Sequence, residues 1–150
     1  MAGTYSQILF HVVFSTKRRH RWIDASFAEK LYPYMGGIIR SEGGVACNIG
    51  GVEDHVRLLI RWRPDCRLSD LMRVVKSRSS RWAHENWKSR SEFGWQEGYS
   101  AFTVSQSNRG VVDRYIANQS SRHRRMDYRT ELLRLLTAHD VSYEERYVFD

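Results

Sequence analysis

The sequence predicts an α+β fold, an antiparallel sheet backed by helices with further helices after it. Three observations predict it. Residues 6–15 and 55–63 alternate apolar and polar side chains with period two and are rich in aromatic and β-branched types. Each of these segments is followed by a stretch whose apolar residues recur on one helical face. The order that results, β-α-β-β-α-β followed by two helices, is that of the split βαβ or ferredoxin-like arrangement.

In the first strand Ile8, Phe10, Val12 and Phe14 point one way, and Gln7, Leu9, His11, Val13 and Ser15 the other. A basic turn follows at Lys17, Arg18, Arg19 and Arg21. Phe27, Leu31, Tyr34, Met35 and Ile38 then share a helix face, with Asp24 or Ser26 as the cap; Pro33 within it implies a kink or a restart. Gly43-Gly44 breaks the chain, Val45 to Ile49 reads as a short strand, and Gly50-Gly51 as a turn. In the next strand Val56, Leu58, Ile60 and Trp62 face one side, and His55, Arg57, Leu59, Arg61 and Arg63 the other, until Pro64 ends it. Leu68, Leu71, Met72, Val75 and Trp82 form the second helical stripe. A polar and aromatic loop spans 87–98, and Tyr99 to Ser105 reads as the fourth strand. Residues 108–122 and 128–138 read as helices, the latter with Tyr128, Leu132, Leu135 and Leu136 as its stripe and Asp127 as its cap. With helices on one face of the sheet, the other face is expected to be free for a partner or ligand. No repeat or linker divides the chain, so the expectation is one domain over 1–150.

The formal net charge of +7 suits a polyanionic partner, because Lys and Arg that neutralise phosphates release counterions. The longest apolar runs are a few residues, too short to cross a membrane. The first residues lack a basic region followed by an apolar stretch. Cys47 and Cys66 are far apart and form no C-x-x-C pair, which argues against a disulfide framework or a cysteine zinc site. A cytoplasmic protein is expected.

Chemistry can be placed at three points. His55 and Arg57 project from one face of a strand, where an x-His-hydrophobic-His pattern would set two imidazoles around a divalent metal. Tyr115 and Gln119 lie one turn apart on a helix face, with Arg122 nearby. A single His before an apolar strand is more often structural, and a helical Tyr more often packs, so spacing alone assigns neither a role. Arg73, Lys76, Arg78 and Arg81, interleaved with serines, form a basic cluster suited to phosphates, and Arg122, Arg124, Arg125 and Arg129 form another. Trp87, Trp95 and Tyr99 would supply stacking surfaces for the bases of a single strand.

These residues carry a resemblance over nearly the whole chain. Tyr5-Ser6-Gln7-Ile8-Leu9-Phe10-His11-Val12-Val13-Phe14, Asp54-His55-Val56-Arg57-Leu58-Leu59-Ile60, Gly94-Trp95-Gln96-Glu97-Gly98-Tyr99 and Tyr115-Ile116-Ala117-Asn118-Gln119 occur in order. In these motifs the chain resembles the single-tyrosine HUH transposases of small insertion sequences and the related REP-associated tyrosine transposases. The resemblance implies that Tyr115 attacks a DNA phosphorus, leaving a 5′-phosphotyrosine link and a free 3′-hydroxyl. It implies a divalent metal, Mg²⁺ or Mn²⁺, held by two His and a Gln, positions that fall here on His55, Arg57 and Gln119. It implies single-stranded DNA with hairpins as substrate, and a homodimer in which the tyrosine helix can act in trans.

Arg57 departs from that pattern, because a guanidinium has no lone pair to give and stays charged. Three readings are open. Arg57 clamps the scissile phosphate in place of the metal; a metal is held by His55, Gln119 and a new ligand such as Asp54 or Glu53; or the protein binds DNA hairpins without cutting them. An RNA-binding ferredoxin-like module is a further alternative, but it would carry aromatic pairs on the central strands, and His55-Val56-Arg57 offers none.

Overall fold

The computed structural model describes residues 3–118 and 127–150. The elements run β1 (Leu9–Ser15), α1 (Ala25–Ser41), β2 (Val45–Val52), β3 (His55–Arg61), α2 (Leu68–Asn86), β4 (Ser100–Val104), α3 (Arg109–Ala117), α4 (Tyr128–Ala138) and a short α5 (Glu145–Val148). The four strands form an antiparallel sheet in the order β2-β3-β1-β4. This is the α+β arrangement that the alternation and stripes predict.

One face of the sheet packs on α1 and α2. Val12, Phe14, Val56, Leu58 and Ile60 from the strands meet Phe27, Leu31 and Met35 of α1 and Leu71, Met72 and Val75 of α2 in one apolar cluster. The α1 cap is Asp24, whose Oδ1 accepts from the Phe27 N–H at 2.9 Å. Pro33 neither ends nor restarts α1, which is one helix with Pro33 on its exposed side.

Three expectations are corrected. The opposite face of the sheet is not free: Ile116 of α3 packs with Leu9, Leu59 and Val104, while Tyr128, Leu132 and Leu136 of α4 pack with Val13 and Phe102. The apolar stripe of α4 has to be buried, and that face is where it goes. Gly50 and Gly51 do not turn the chain. They lie inside β2, and the turn falls at Glu53-Asp54. The reason for a glycine at 50 is close approach, since a Cβ there would sit 2.8 Å from the Ile116 carbonyl oxygen of α3. Trp95 does not offer its ring to a base. It is buried, 4.9 Å from both Phe14 and Phe93 by ring centroids, and its Nε1 donates to Ser79 Oγ at 2.9 Å. Trp87 is likewise packed edge-on against Phe27.

Candidate active site

The face covered by α3 and α4 is where the unusual polar residues meet. His55 opens β3 immediately after the turn, and the register sets Val13 opposite Arg57 and Ser15 opposite His55. Strand alternation therefore sends His11, His55 and Arg57 to the same side, and all three are buried.

His55 is fixed from two directions. Its Nδ1 lies 2.8 Å from Asp54 Oδ1, and its ring stacks on Tyr128 with centroids 4.2 Å apart and planes 11° from parallel. Asp54 also faces Arg19, at 3.5 Å. Burial alone would raise the Asp54 carboxyl, but the His55 hydrogen bond and the charges of His55 and Arg19 outweigh it and hold the group below the usual carboxylate range. Arg19 sits there because the basic turn adopts left-handed backbone at Arg18 (φ 57°) and Arg19 (φ 56°). Thr16 Oγ1 closes the turn by donating to the His20 carbonyl at 2.6 Å. The Tyr128 hydroxyl is buried and has no hydrogen-bond partner among the described residues, and burial pushes its ionisation up.

Arg57 has no solvent exposure at all. Its Nη2 donates to Glu131 Oε1 of α4 at 2.8 Å, and its Nη1 lies 3.5 Å from His11 Nε2. The Tyr115 ring of α3 lies over the guanidinium, with 4.9 Å from Cζ to the ring centroid. Within one chain, then, Tyr115 stands over its own Arg57. Glu131 is raised above its ordinary value by burial, against the pull of Arg57. His11 is pushed down to about 3, first by burial and then by the charges of Arg57 and His139. At neutral pH His11 is therefore an uncharged imidazole whose Nε2 can accept from Arg57.

Close approach positions Tyr115. Gly50 lets the backbone of α3 lie against β2, and Asn48 Nδ2 donates to the Asp113 carbonyl at 3.2 Å. Beyond the Tyr115 ring a cavity of about 250 Å³ opens between β4, α3 and α4.

The residues present do not fit the two-His metal set. At the second ligand position stands a permanent cation already paired with Glu131, and an arginine cannot coordinate. Asp54, one of the two replacement ligands considered above, is engaged by His55 and Arg19. Among the described residues no three His, Cys, Asp or Glu side chains group as a metal site. Gln119 and Arg122 lie outside the described residues, as do Arg124 and Arg125.

The basic residues of α2 lie on the other side of the sheet. Arg73 and Arg81 are exposed. Arg78 reaches the end of α1, 3.4 Å from Ser41 Oγ and 3.8 Å from the Glu42 carboxylate. Lys76 spends its ammonium on the carbonyls of Gln96, Glu97 and Gly98, and burial pushes it down to about 8. It therefore anchors the 96–98 loop, and Gln96 in turn accepts from the Ser15 N–H at 2.7 Å. Arg73, Lys76, Ser77 and Tyr99 line a groove of about 390 Å³ there.

Sequence reasoning missed Glu131 and the place of His11 in the site. Both carried a signal: each is a titratable residue on an otherwise apolar face, Glu131 three residues after Tyr128 on the α4 stripe and His11 between Leu9 and Val13.

The site thus sits on a four-stranded antiparallel sheet, with Tyr115 of α3 over Arg57 and Tyr128 of α4 over His55. The family model for IS200-like transposases matches residues 4–119, and the chain belongs to that family. It is 26% identical over 122 residues to the ISDra2 transposase TnpA of Deinococcus radiodurans, covering 78% of this chain and 87% of that protein. A crystal structure of a Deinococcus radiodurans R1 protein described as a transposase superposes with a TM-score of 0.64 at 23% identity, over 79% of this chain and 95% of the other. The structure of a REP-associated tyrosine transposase bound to a REP hairpin superposes with a TM-score of 0.62 at 11% identity, over 82% of this chain and 73% of the other. No helix among the described residues is long and apolar enough to cross a membrane.

Proposed function

We propose that this chain is a DNA strand transferase that acts on single-stranded hairpin ends, with Tyr115 as nucleophile and Arg57 as the charge that meets the scissile phosphate. The observation that carries the reading is the Tyr115 ring over the Arg57 guanidinium, 4.9 Å away. The Tyr115 oxygen attacks phosphorus and loses its proton; the bond from phosphorus to the 3′ oxygen breaks; that oxygen takes a proton and leaves as a 3′-hydroxyl. A 5′-phosphotyrosine remains, which a second 3′-hydroxyl can reverse. To meet the phosphate, Arg57 exchanges the Glu131 carboxylate for a phosphate oxygen at Nη2, and its charge then serves without a metal. His55, held by Asp54 and Tyr128, stands beside the same phosphate. The exposed Arg73 and Arg81 contact the backbone of the strand, Lys76 and Arg78 support that surface, and Arg122, outside the described residues, is a further phosphate contact in this proposal. A relative solved with a REP hairpin supports a hairpin as the ligand. A homodimer with the tyrosine helix acting in trans belongs to the same proposal, although one chain already sets Tyr115 over its own Arg57.

A second reading, a hairpin-binding protein that no longer cuts, is favoured by one observation: Arg57 is already neutralised by Glu131 and closed off from solvent. A covalent assay separates the two. Labelled hairpin DNA is incubated with protein in excess chelator, or with Mg²⁺ or Mn²⁺, and then denatured. The transferase reading expects a covalent complex that forms in chelator and is lost in Tyr115→Phe. No complex from the natural protein under any condition, with a metal-dependent complex appearing in Arg57→His, would establish the binder instead.

A further inference from the structure

We propose that the cavity beside Tyr115 is a nucleobase pocket, taking one unstacked base from the DNA strand next to the phosphate that Tyr115 faces. The inference rests on the reading of Tyr115 as facing a DNA phosphate and adds the part of the substrate that is read there.

Three features of the cavity select a base. First, its charge is complementary to a base and not to a phosphate. The described lining holds no Lys, Arg, Asp or Glu, and His11 within it is uncharged at neutral pH. The fixed cation Arg57 lies 4.9 Å from the Tyr115 ring centroid and is not among the residues that line the cavity. A strand crossing Tyr115 can thus leave its phosphate at the cation and turn the neighbouring base into a space lined by no Lys, Arg, Asp or Glu. Second, the walls suit a flat ring. Phe102 and His139 pack on each other, ring centroids 4.5 Å apart, and form one aromatic wall on which a base can stack. Val111 and Leu135 close the sides. Asn108 and Thr103 bring an amide and a hydroxyl, which donate to and accept from the edge of a base. Third, the size is right. At about 250 Å³ the space is below the range that takes drug-sized ligands and matches a single base with part of its sugar.

The experiment titrates full-length protein by fluorescence anisotropy with a hairpin oligonucleotide that carries single-stranded flanks. One flank nucleotide at a time is made abasic, so the phosphates stay intact. The natural protein is expected to lose about tenfold in affinity at one position only. Val111 is 56% exposed, so Val111→Trp can plug the mouth without disturbing the core. That variant is expected to bind the intact strand as weakly as the natural protein binds the critical abasic one, with no further loss at that position. His139→Ala, also at an exposed residue, is expected to shrink the same penalty. A uniform penalty across positions, or a penalty untouched by both variants, overturns the pocket. So does a change in oligomeric state in Val111→Trp with an unchanged profile, which would give the cavity to a side chain of a second copy. A denaturing gel on the same samples reports the Tyr115 adduct. An adduct with a flat profile sinks the pocket alone; no binding of hairpin DNA sinks the pocket and the proposed function together.

Discussion

On the side of α1 and α2, β1 and β3 present Val12, Phe14, Val56, Leu58 and Ile60, none of them charged. On the side of α3 and α4 the same two strands present His11, His55 and Arg57 among Leu9, Val13 and Leu59. Both layers exclude water, so the difference is not exposure. It is that the first is held by packing, while in the second every polar group needs a partner of the right kind to be buried at all. The site residues come in linked sets for that reason. Asp54 and Tyr128 fix His55, and Glu131 and His11 receive the two ends of Arg57. A scaffold layer and a reactive layer share one sheet, and substitutions should separate them.

The largest effect is expected on the scaffold side. Phe27 is fully buried between Trp87, Phe93 and the sheet. Phe27→Ala removes a ring and leaves a cavity, which should lower unfolding stability by roughly 4 kcal/mol in urea titration. Hairpin DNA affinity, measured where the variant is still folded, should not change. A comparable loss of affinity in the folded variant would mean that the two layers are not separable.

The next effect tests the pairing rule on the reactive side. Glu131→Leu strands a buried guanidinium that cannot give up its proton, and should cost roughly 3 kcal/mol. Arg57→Met should cost less, because Glu131 is already shifted upward and can take a proton once its partner is gone. The double variant Arg57→Met with Glu131→Leu should return to within about 1 kcal/mol of the natural stability, yet lose hairpin DNA affinity and any covalent complex. A double variant as unstable as Glu131→Leu alone would show that the pair is part of the scaffold.

The sequence made the two layers legible because strand alternation is a strict period of two: each side of β1 and β3 was readable residue by residue. The helix stripes and the caps at Asp24 and Asp127 were readable for the same local reason. What crosses between distant segments was not. Gly50-Gly51 looks like a turn until α3 is known to lie against it, and Trp95 looks like a stacking platform until Phe14 and Phe93 close around it. The sheet face expected to be free is covered because the α4 stripe had no other place to go. At the site, Arg57 stood out as a departure from a motif, but its partner Glu131 lies 74 residues away and only the fold brings them together.

The smallest effect sharpens the comparison through pH. His11 has an ordinary value of 6.5 and a folded value near 3, so the unfolded chain takes up a proton that the folded chain refuses across the interval between them. The contribution of His11 is therefore fully present above pH 6.5 and is lost as pH falls toward 3. The loss is at most about 1.4 kcal/mol per pH unit, so between pH 6.5 and about 5 it amounts to at most about 2 kcal/mol. Glu131 works the other way: raised in the fold, it adds stability as pH falls, and so reduces the slope. Asp24 and Asp54 are lowered from 3.8 and begin to matter only at more acid pH. Urea midpoints at about pH 7 and about pH 5 should thus fall for the natural protein and fall less for His11→Gln, which has no proton to gain. Phe27→Ala, lower throughout, should keep the natural slope, because it leaves His11 and Glu131 on the other face of the sheet untouched. Equal slopes in all three proteins would remove His11 from the reactive layer's ionic balance.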